Sequence, residues 1–403
     1  MSYFDPTTWR AFVPEETISF LKSRKEKDEI KNPRKRRRVQ KDILVLQKSV
    51  SPFDVYTYLH ARFGPPNGFQ TFLAGDHSDN LFHWDYFLKA GHNDLIFTGA
   101  TKEVQVKFEG DLSDADFLNF IARLKADFGR VGQAKSEFIA TLEEWSVFPN
   151  QYLSVANRCA ELYDDIETSL PEVNRLILVD DLSIEFKSLR KAKVVHSFLA
   201  KITAAPTELS LLMPVMFESF IGLLIAGLIK PEIKQNPRIF DAFIRAPLDI
   251  KIMDLSVRCN GFSKAIEQNN PAFSRYWTVV NKRNNVIHGN IDPVKNSLET
   301  VYFDGKRPLY KTGGNRIQEH WAGLLKQYKP QEVLDDYIAM HEFIFEILAH
   351  LEPRLRRSLL LVMQESQPGW DNKRKIFGCL LPENIVMTTF PGQRHDWQLQ
   401  AEH

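Results

Sequence analysis

The sequence predicts a two-part fold: a small α+β module over residues 41–130, followed by a mostly helical region over residues 131–366. In the first part, apolar and polar residues alternate with period two, which is the pattern of a half-buried strand. In the second part, apolar residues recur at helical spacing, and Pro or Gly separates most of the predicted helices. A chain of 403 residues, 43% hydrophobic and 26% charged, is long enough for two or three folded domains.

The elements of the module follow from spacing and from turn residues. Residues 42–63 carry apolar residues at helical spacing, and the Gly- and Pro-rich run 64–68 ends this predicted helix. Ser113 is a suitable N-cap for a later helix. Strand patterns lie between them, in the segments 81–89, 95–99 and 103–110.

Residues 1–40 are predicted to form a flexible basic arm. Between Lys22 and Lys41 eleven basic and three acidic residues give a charge of +8, which leaves −7 for the rest because the whole chain carries +1. The densest part is Pro33–Gln40. It can be a solvated charged loop, a nuclear import signal or a segment that contacts RNA phosphates. The RNA-binding candidates are Arg34, Lys35, Arg36, Arg37 and Arg38.

Nothing in the sequence favours secretion or a membrane. The N-terminal residues form no apolar leader, and the most apolar run, Met213–Ile229, contains Glu218. This run predicts a buried core helix rather than a membrane span. The three cysteines, Cys159, Cys259 and Cys379, show neither metal-ligand spacing nor a disulfide framework. We therefore expect a cytoplasmic protein without a membrane partner.

A polar stretch, NKRNNVIHGN at Asn281–Asn290, occupies the end of a predicted helix. Asn270 and Pro271 are suited to begin this helix, and Gly289 to end it. Asn is a poor helix former, and such local conflicts often occur at functional sites. Simple fraying of the helix before Gly289, with His288 bonded to the last carbonyls, is the alternative explanation.

The apolar stripe of this helix contains Phe273, Trp277 and Val280. The same stripe continues through Asn284 and Ile287, so a polar amide is predicted to interrupt the buried face. Asn284 and His288 are four residues apart and share a face of the helix.

The run Arg283-Asn284-x-x-x-His288-Gly289 resembles the signature of the HEPN family (higher eukaryotes and prokaryotes nucleotide-binding domain). The resemblance covers roughly residues 200–355. It implies an all-α up-and-down bundle in which the motif lies at the end of an inner helix. An upstream helix of the family often carries an inward polar residue, and Glu218 is the candidate here.

Many members of the HEPN family are metal-independent ribonucleases. The resemblance therefore implies an endoribonuclease that cleaves single-stranded RNA to 2′,3′-cyclic phosphate and 5′-OH ends. Arg binds phosphate oxygens in a bidentate manner, and His transfers protons near neutral pH. The candidate catalytic residues are Arg283, Asn284 and His288, supported by Glu218, Asn281 and Asn285.

The family also suggests partners and a biological role. Its members dimerise so that two motifs face one cleft, which implies a C2 homodimer that needs no metal and no cofactor. Such proteins often act as toxins or anti-phage effectors, and that role is an expectation by analogy. The alternative is a non-catalytic HEPN scaffold, or a protein that binds nucleotides or RNA without cleaving them.

Three further segments carry polar clusters or an undetermined end. His77, Asp79, His83 and Asp85 could bind a metal, but a solvated hairpin is the favoured interpretation. A predicted surface loop after the motif could line an RNA path with Lys306, Arg307, Lys311 and Arg316. Residues 367–403 form a C-terminal extension whose packing the pattern does not determine.

Overall fold

In the computed structural model of this protein, the chain divides into two compact units. The first unit is Met1–Glu144 with Leu381–His403, and the second unit is Trp145–Leu380. The structure describes residues 2–30, 43–69, 82–108, 112–178, 189–267, 269–288, 293–294, 297, 299–311, 316–380 and 394–395.

In the described residues, a six-stranded sheet forms the centre of the first unit. Its strands are β1 (Trp9–Ala11), β2 (Ile43–Leu46), β3 (Phe82–Ala90), β4 (Asn93–Ala100), β5 (Val104–Phe108) and β11 (Arg394–His395). Their order is β1-β3-β4-β5-β2-β11; β11 runs parallel to β2, and the other neighbours are antiparallel.

Helices pack against this sheet and complete an α+β unit, as predicted. Ser113 caps its helix and forms a capping box with Asp116, which confirms the predicted start. Phe117 and Phe120 of that helix are fully buried in the core with Phe108 of β5. The helices are α1 (Pro14–Ile30), α2 (Pro52–Phe63), α3 (Asp114–Asp127) and α4 (Gly132–Ile139).

Two predictions for the first unit are wrong. The segment 1–40 is not a flexible arm over its first part, because β1 pairs with β3 and Tyr3 and Trp9 lie in the core. Residues 43–46 form a strand, and the helix begins only at Pro52. Three consecutive apolar side chains of this strand are buried, so the sheet is covered on both faces and period-two alternation is lost. Arg34–Arg38 lie outside the described residues.

The predicted solvated hairpin is also wrong at Asp85. This carboxylate is buried and accepts a hydrogen bond from the backbone N–H of Phe69 at 2.9 Å. His83 is exposed, and its Nε2 lies 2.9 Å from Oγ1 of Thr101. The other two members of the proposed metal set, His77 and Asp79, lie outside the described residues.

We expect acid to destabilise the first unit, with Asp127 at the end of α3 as one cause. Its carboxylate accepts hydrogen bonds from Arg130 Nε at 2.8 Å and from the Tyr58 hydroxyl at 2.6 Å. The bond from Arg130 is the main reason that the pKa of Asp127 is lowered. Because the folded pKa lies below the unfolded one, the ionised carboxylate stabilises the unit above about pH 4, and this contribution is lost as the pH falls.

The measurement is the urea unfolding free energy of the protein between pH 7 and pH 2. Asp127→Asn is expected to cost about 2 kcal/mol at pH 7, since it removes hydrogen bonds to a charged group. It should also make stability fall less steeply below pH 4 than in the wild type. Equal pH slopes for both proteins would contradict the assignment.

The second unit is mostly helical, and a small sheet of order β10-β9-β6 and a separate hairpin accompany the helices. The helices are α5 (Gln151–Ile177), α6 (Leu189–Leu228), α7 (Pro231–Lys234), α8 (Pro237–Ile244), α9 (Leu248–Arg258), α10 (Pro271–Ile287), α11 (Arg316–Tyr328), α12 (Pro330–Ala349) and α13 (Pro353–Gln364). The strands are β6 (Trp145–Val147), β7 (Val301–Asp304), β8 (Arg307–Tyr310), β9 (Gly369–Asp371) and β10 (Ile376–Gly378).

Helix α6, with 40 residues, forms the centre of the second unit. Phe217 stacks on Phe343 of α12 at a centroid distance of 5.2 Å and lies 4.6 Å from the ring of Tyr276 on α10. In the described part of the chain, α6 is the one helix long and apolar enough to cross a membrane, and half of its apolar window is buried. Its run Met213–Ile229 contributes to the hydrophobic core, as predicted.

Two boundaries in the second unit differ from prediction. Helix α6 continues through Pro206 and Pro214, although the sequence predicts that Pro separates most of the helices. The described strands of the predicted extension 367–403 belong to two different units. Its β9 and β10 belong to the small sheet of the second unit, whereas β11 pairs with β2 of the first unit.

Candidate active site

The helix that carries the motif, α10, begins as the sequence predicts. Asn270 is its N-cap, with Oδ1 accepting the backbone N–H of Ala272 at 2.7 Å. The amide Nδ2 of Asn270 donates to the Glu346 carboxylate of α12, which fixes the start of α10 against its neighbour. Near the other end, Lys282 Nζ binds Glu332 at 2.6 Å and Asp336 at 2.7 Å. The orientation of the motif helix is therefore set at both ends by α12.

The buried stripe of α10 differs from the predicted one. Phe273, Tyr276 and Val279 are buried, whereas Trp277 is only partly buried. At about 100° per residue, Arg283 lies close to the centre of this stripe, seven residues after Tyr276. The motif Arg therefore projects toward the protein interior at the end of the apolar stripe.

Ile287 was predicted on the buried face and is instead 54% exposed. It occupies the last position of α10. Asn281 is exposed as well. The side chain of Asn285 lies outside the described part of the structure.

Arg283 and Asn284 form a bonded pair. Nη1 of Arg283 donates to Oδ1 of Asn284 at 3.1 Å. The Nε atom of the same guanidinium is buried, and no described residue accepts its hydrogen. A buried donor without a partner is unfavourable, and a ligand oxygen can satisfy it.

His288 extends the helical geometry by one residue. Its backbone N–H donates to the carbonyl of Asn284 at 3.0 Å, so His288 lies one turn beyond Asn284 on the same face. The imidazole is exposed. The Cα atoms of Arg283 and His288 are separated by about 7.5 Å along the helix axis, because each residue rises about 1.5 Å. The two residues are also about 140° apart around the helix axis, so a shared phosphodiester requires that the long Arg283 side chain reaches round the helix or meets the His288 of a second copy.

Tyr276 is one of the buried residues of α10, and charged side chains affect the pKa of its hydroxyl. Burial raises the pKa of its hydroxyl, and the carboxylates of Glu218 and Asp249 raise the pKa further. The guanidinium of Arg283 has the opposite effect and lowers the pKa of the hydroxyl. Charged residues of α6, α9 and α10 therefore affect the pKa of one buried hydroxyl.

Asp249 provides a second unsatisfied atom. Its Oδ1 is buried and finds no hydrogen-bond donor among the described residues. Neither Asp249 nor Tyr276 could be identified from the sequence. Asp249 is distant from the motif along the chain, and Tyr276 reads as an ordinary member of an apolar stripe.

The prediction that Glu218 points into the core is wrong, because its side chain is exposed. It lines a cavity of about 620 Å³ in the second unit. Its neighbour Phe217 is the side chain that packs on Tyr276. Glu218 is therefore adjacent in sequence to a residue that contacts Tyr276, while its own side chain lines the cavity.

A β-hairpin, β7 with β8, replaces the predicted surface loop. All four residues of β8 are exposed, and Phe303 and Tyr310, which share one face of the hairpin, are 67% and 58% exposed. On the other face, Lys311 Nζ lies 4.9 Å from the centroid of the Tyr302 ring. The basic residues of the hairpin are Lys306, Arg307 and Lys311, while the side chain of Arg316 lies outside the described residues.

A search of family models, curated proteins and solved structures finds no match to this chain. Across the described ranges, no group of three or more His, Cys, Asp or Glu side chains is arranged to hold a metal ion.

Proposed function

We propose that the protein is an endoribonuclease of the HEPN type, which cleaves single-stranded RNA without a metal ion at Arg283, Asn284 and His288. The observation that carries this proposal is the buried Nε of Arg283, which no described residue accepts, together with the bond from this guanidinium to Asn284, which lies one helical turn before the exposed imidazole of His288. Arg with free N–H donors binds phosphate oxygens, and His transfers protons. Phosphodiester transfer needs stabilisation of negative charge, which Arg provides, and proton transfer, which His provides.

In the proposed reaction, the ribose 2′-oxygen attacks the adjacent phosphorus and loses its proton to a base. The bond from phosphorus to the 5′-oxygen breaks, and that oxygen takes up a proton. The products are a 2′,3′-cyclic phosphate and a 5′-OH. Arg283 stabilises the negative charge that develops on the non-bridging oxygens, and Asn284 fixes the guanidinium through the bond at 3.1 Å.

His288 carries the proton transfers, and this supports a dimeric site. One proton leaves the 2′-oxygen while another reaches the 5′-oxygen, so two imidazoles serve the reaction better than one. The motif supplies one exposed His per chain. We propose that a C2 dimer places two motifs across one cleft, where one His288 acts as base and the other as acid.

The direct test is incubation of the purified protein with unstructured RNA in the presence of EDTA. We expect cleavage, 2′,3′-cyclic phosphate ends and loss of both in His288→Ala with the fold retained. RNA binding without cleavage in the wild type would favour the non-catalytic alternative. Sedimentation equilibrium of the wild type should give the mass of a dimer.

The exposed hairpin offers a surface for the RNA strand. Aromatic side chains stack on unpaired bases, and Lys and Arg attract the backbone. We expect Phe303→Ala with Tyr310→Ala to weaken binding of a labelled single-stranded RNA about tenfold, measured by fluorescence anisotropy in the His288→Ala background. Phe345→Ala is the matched control, since Phe345 is a similarly exposed aromatic residue on α12. Equal losses in both variants would argue against a specific role of the hairpin.

A further inference from the structure

The cavity beside Glu218 is built from three separate elements of the second unit. It lies between the start of α5, the C-terminal part of α6 and strand β10. Its volume of about 620 Å³ is within the range of small-molecule sites. Residues that line it and carry the argument are Phe148, Tyr152, Glu218, Ser219, Gly222 and Phe377.

One wall of the cavity is aromatic. The rings of Phe148 and Phe377 lie 5.6 Å apart between centroids, with an angle of 38° between their planes. Gly222 of α6 faces open space, since a Cβ placed there would have no heavy atom within 4 Å. The cavity can therefore hold a flat group against the two rings.

The polar groups of the cavity select a ligand that donates hydrogen bonds. Among the described residues that line the cavity, Glu218 is the only charged one, so none of them supplies a cation. A phosphate is therefore disfavoured, whereas amino and hydroxyl groups suit the carboxylate. Asn150 also lines the cavity, but its amide is already bonded to backbone groups of α5 and of the segment around Glu365. Ser219 adds a hydroxyl beside Glu218.

We propose that this cavity binds one nucleoside of the RNA, with the base against Phe148 and Phe377 and the amino or ribose hydroxyl groups on Glu218. Carboxylates bind ribose hydroxyls in other nucleotide sites, and bases stack on aromatic rings. Phe217, which precedes Glu218 on α6, lies 4.6 Å from the ring of Tyr276, and Arg283 follows Tyr276 by two turns on the same stripe of α10, so the cavity and the proposed phosphate site are on neighbouring helices. The inference rests on the proposed function and adds base selection to it.

The test uses a cavity-filling variant of the full chain. Gly222→Leu places a side chain in the open space of the cavity and improves the helix propensity of α6. Gly323→Leu is the matched control, because Gly323 lies inside helix α11 and also has no heavy atom within 4 Å of a built Cβ. The probes are adenosine, guanosine, cytidine and uridine, detected by saturation-transfer NMR. Circular dichroism checks that both variants are folded.

We expect at least one ribonucleoside to bind the wild type and Gly323→Leu, and to bind Gly222→Leu at least tenfold more weakly. The same nucleoside should compete with a short single-stranded RNA in the His288→Ala background. No binding of any nucleoside, unchanged binding in Gly222→Leu, or binding without competition would each overturn the inference. RNA cleavage by a wild type that binds no nucleoside would refute the cavity assignment alone. Nucleoside binding without RNA cleavage would refute the nuclease alone.

Discussion

Replacing Arg283 by Ala is expected to lower kcat/KM for cleavage of single-stranded RNA about a thousandfold. The guanidinium is the cation of the motif, and its buried Nε has no acceptor among the described residues. Removing one group that stabilises transition-state charge typically costs two to three orders of magnitude. His288→Ala is expected to cost about as much, because it removes the proton transfers. Both variants should be measured in EDTA under single-turnover conditions.

Two variants separate a catalytic role from a structural one. Arg283→Lys keeps the charge but loses the planar set of donors, so we expect partial activity and a larger effect on kcat than on KM. Arg275→Ala is the matched control on the same helix, because Arg275 is exposed and pairs with Glu342 at 3.2 Å. If helix fraying explained the polar end of α10, all of these variants would resemble the wild type.

The dimeric arrangement can be tested with the same inactive proteins. Mixed Arg283→Ala and His288→Ala chains can form a heterodimer in which one cleft holds one intact Arg and one intact His. We expect the mixture to be more active than either parent but well below the wild type, because a single His288 then serves where the intact dimer has two. A mixture as inactive as its parents would show that the two motifs do not share a cleft or that both His288 side chains are required.

The sequence predicts the fold best where one physical signal dominates. Alternation of Val104, Val106 and Phe108 identifies β5, because only one face of that strand is fully buried. The sequence predicts a helix where Ile43–Leu46 forms a strand, since a short apolar run fits either period once both faces are covered. Helix α6 continues through Pro206 and Pro214, although Pro usually interrupts a helix. Burial of its apolar side chains in the core outweighs the two lost backbone hydrogen bonds.

The candidate site is predictable only in part. The cap at Asn270 and the bonded pair of Arg283 and Asn284 are local, so the sequence indicates where they lie. The predicted apolar stripe contains Trp277 and the observed one contains Tyr276, because two overlapping sets of positions on α10 are apolar. Only the neighbouring helices decide that Tyr276 is buried more deeply than Trp277. The effect of Asp249 on the pKa of Tyr276 depends on how α9 packs, which no local pattern records.

The largest expected loss of stability is about 3 kcal/mol, for Asn150→Ala at the start of α5. Its side chain is 2% exposed, and its Oδ1 caps the helix by accepting the backbone N–H of Leu153 at 3.2 Å. The amide Nδ2 donates to the carbonyls of Val362 and Glu365, both at 2.9 Å. One amide therefore joins the first turn of α5 to the last turn of α13. Alanine removes the cap and leaves buried carbonyls without these bonds.

Asn236→Ala provides the scale for this loss, because Asn236 caps α8 by accepting the backbone N–H of Ile239 but is exposed. Losing an exposed cap should cost about 1 kcal/mol. The difference between the two variants, measured by urea unfolding and by hydrogen exchange of α5 amides, then gives the contribution of the bonds to α13. Asn150→Asp keeps the cap but replaces the donor by an acceptor that faces carbonyl oxygens, so we expect it to be no more stable than Asn150→Ala. Losses of similar size at Asn150 and Asn236 would show that the contacts to α13 contribute little, and that the start of α5 is held by its cap alone.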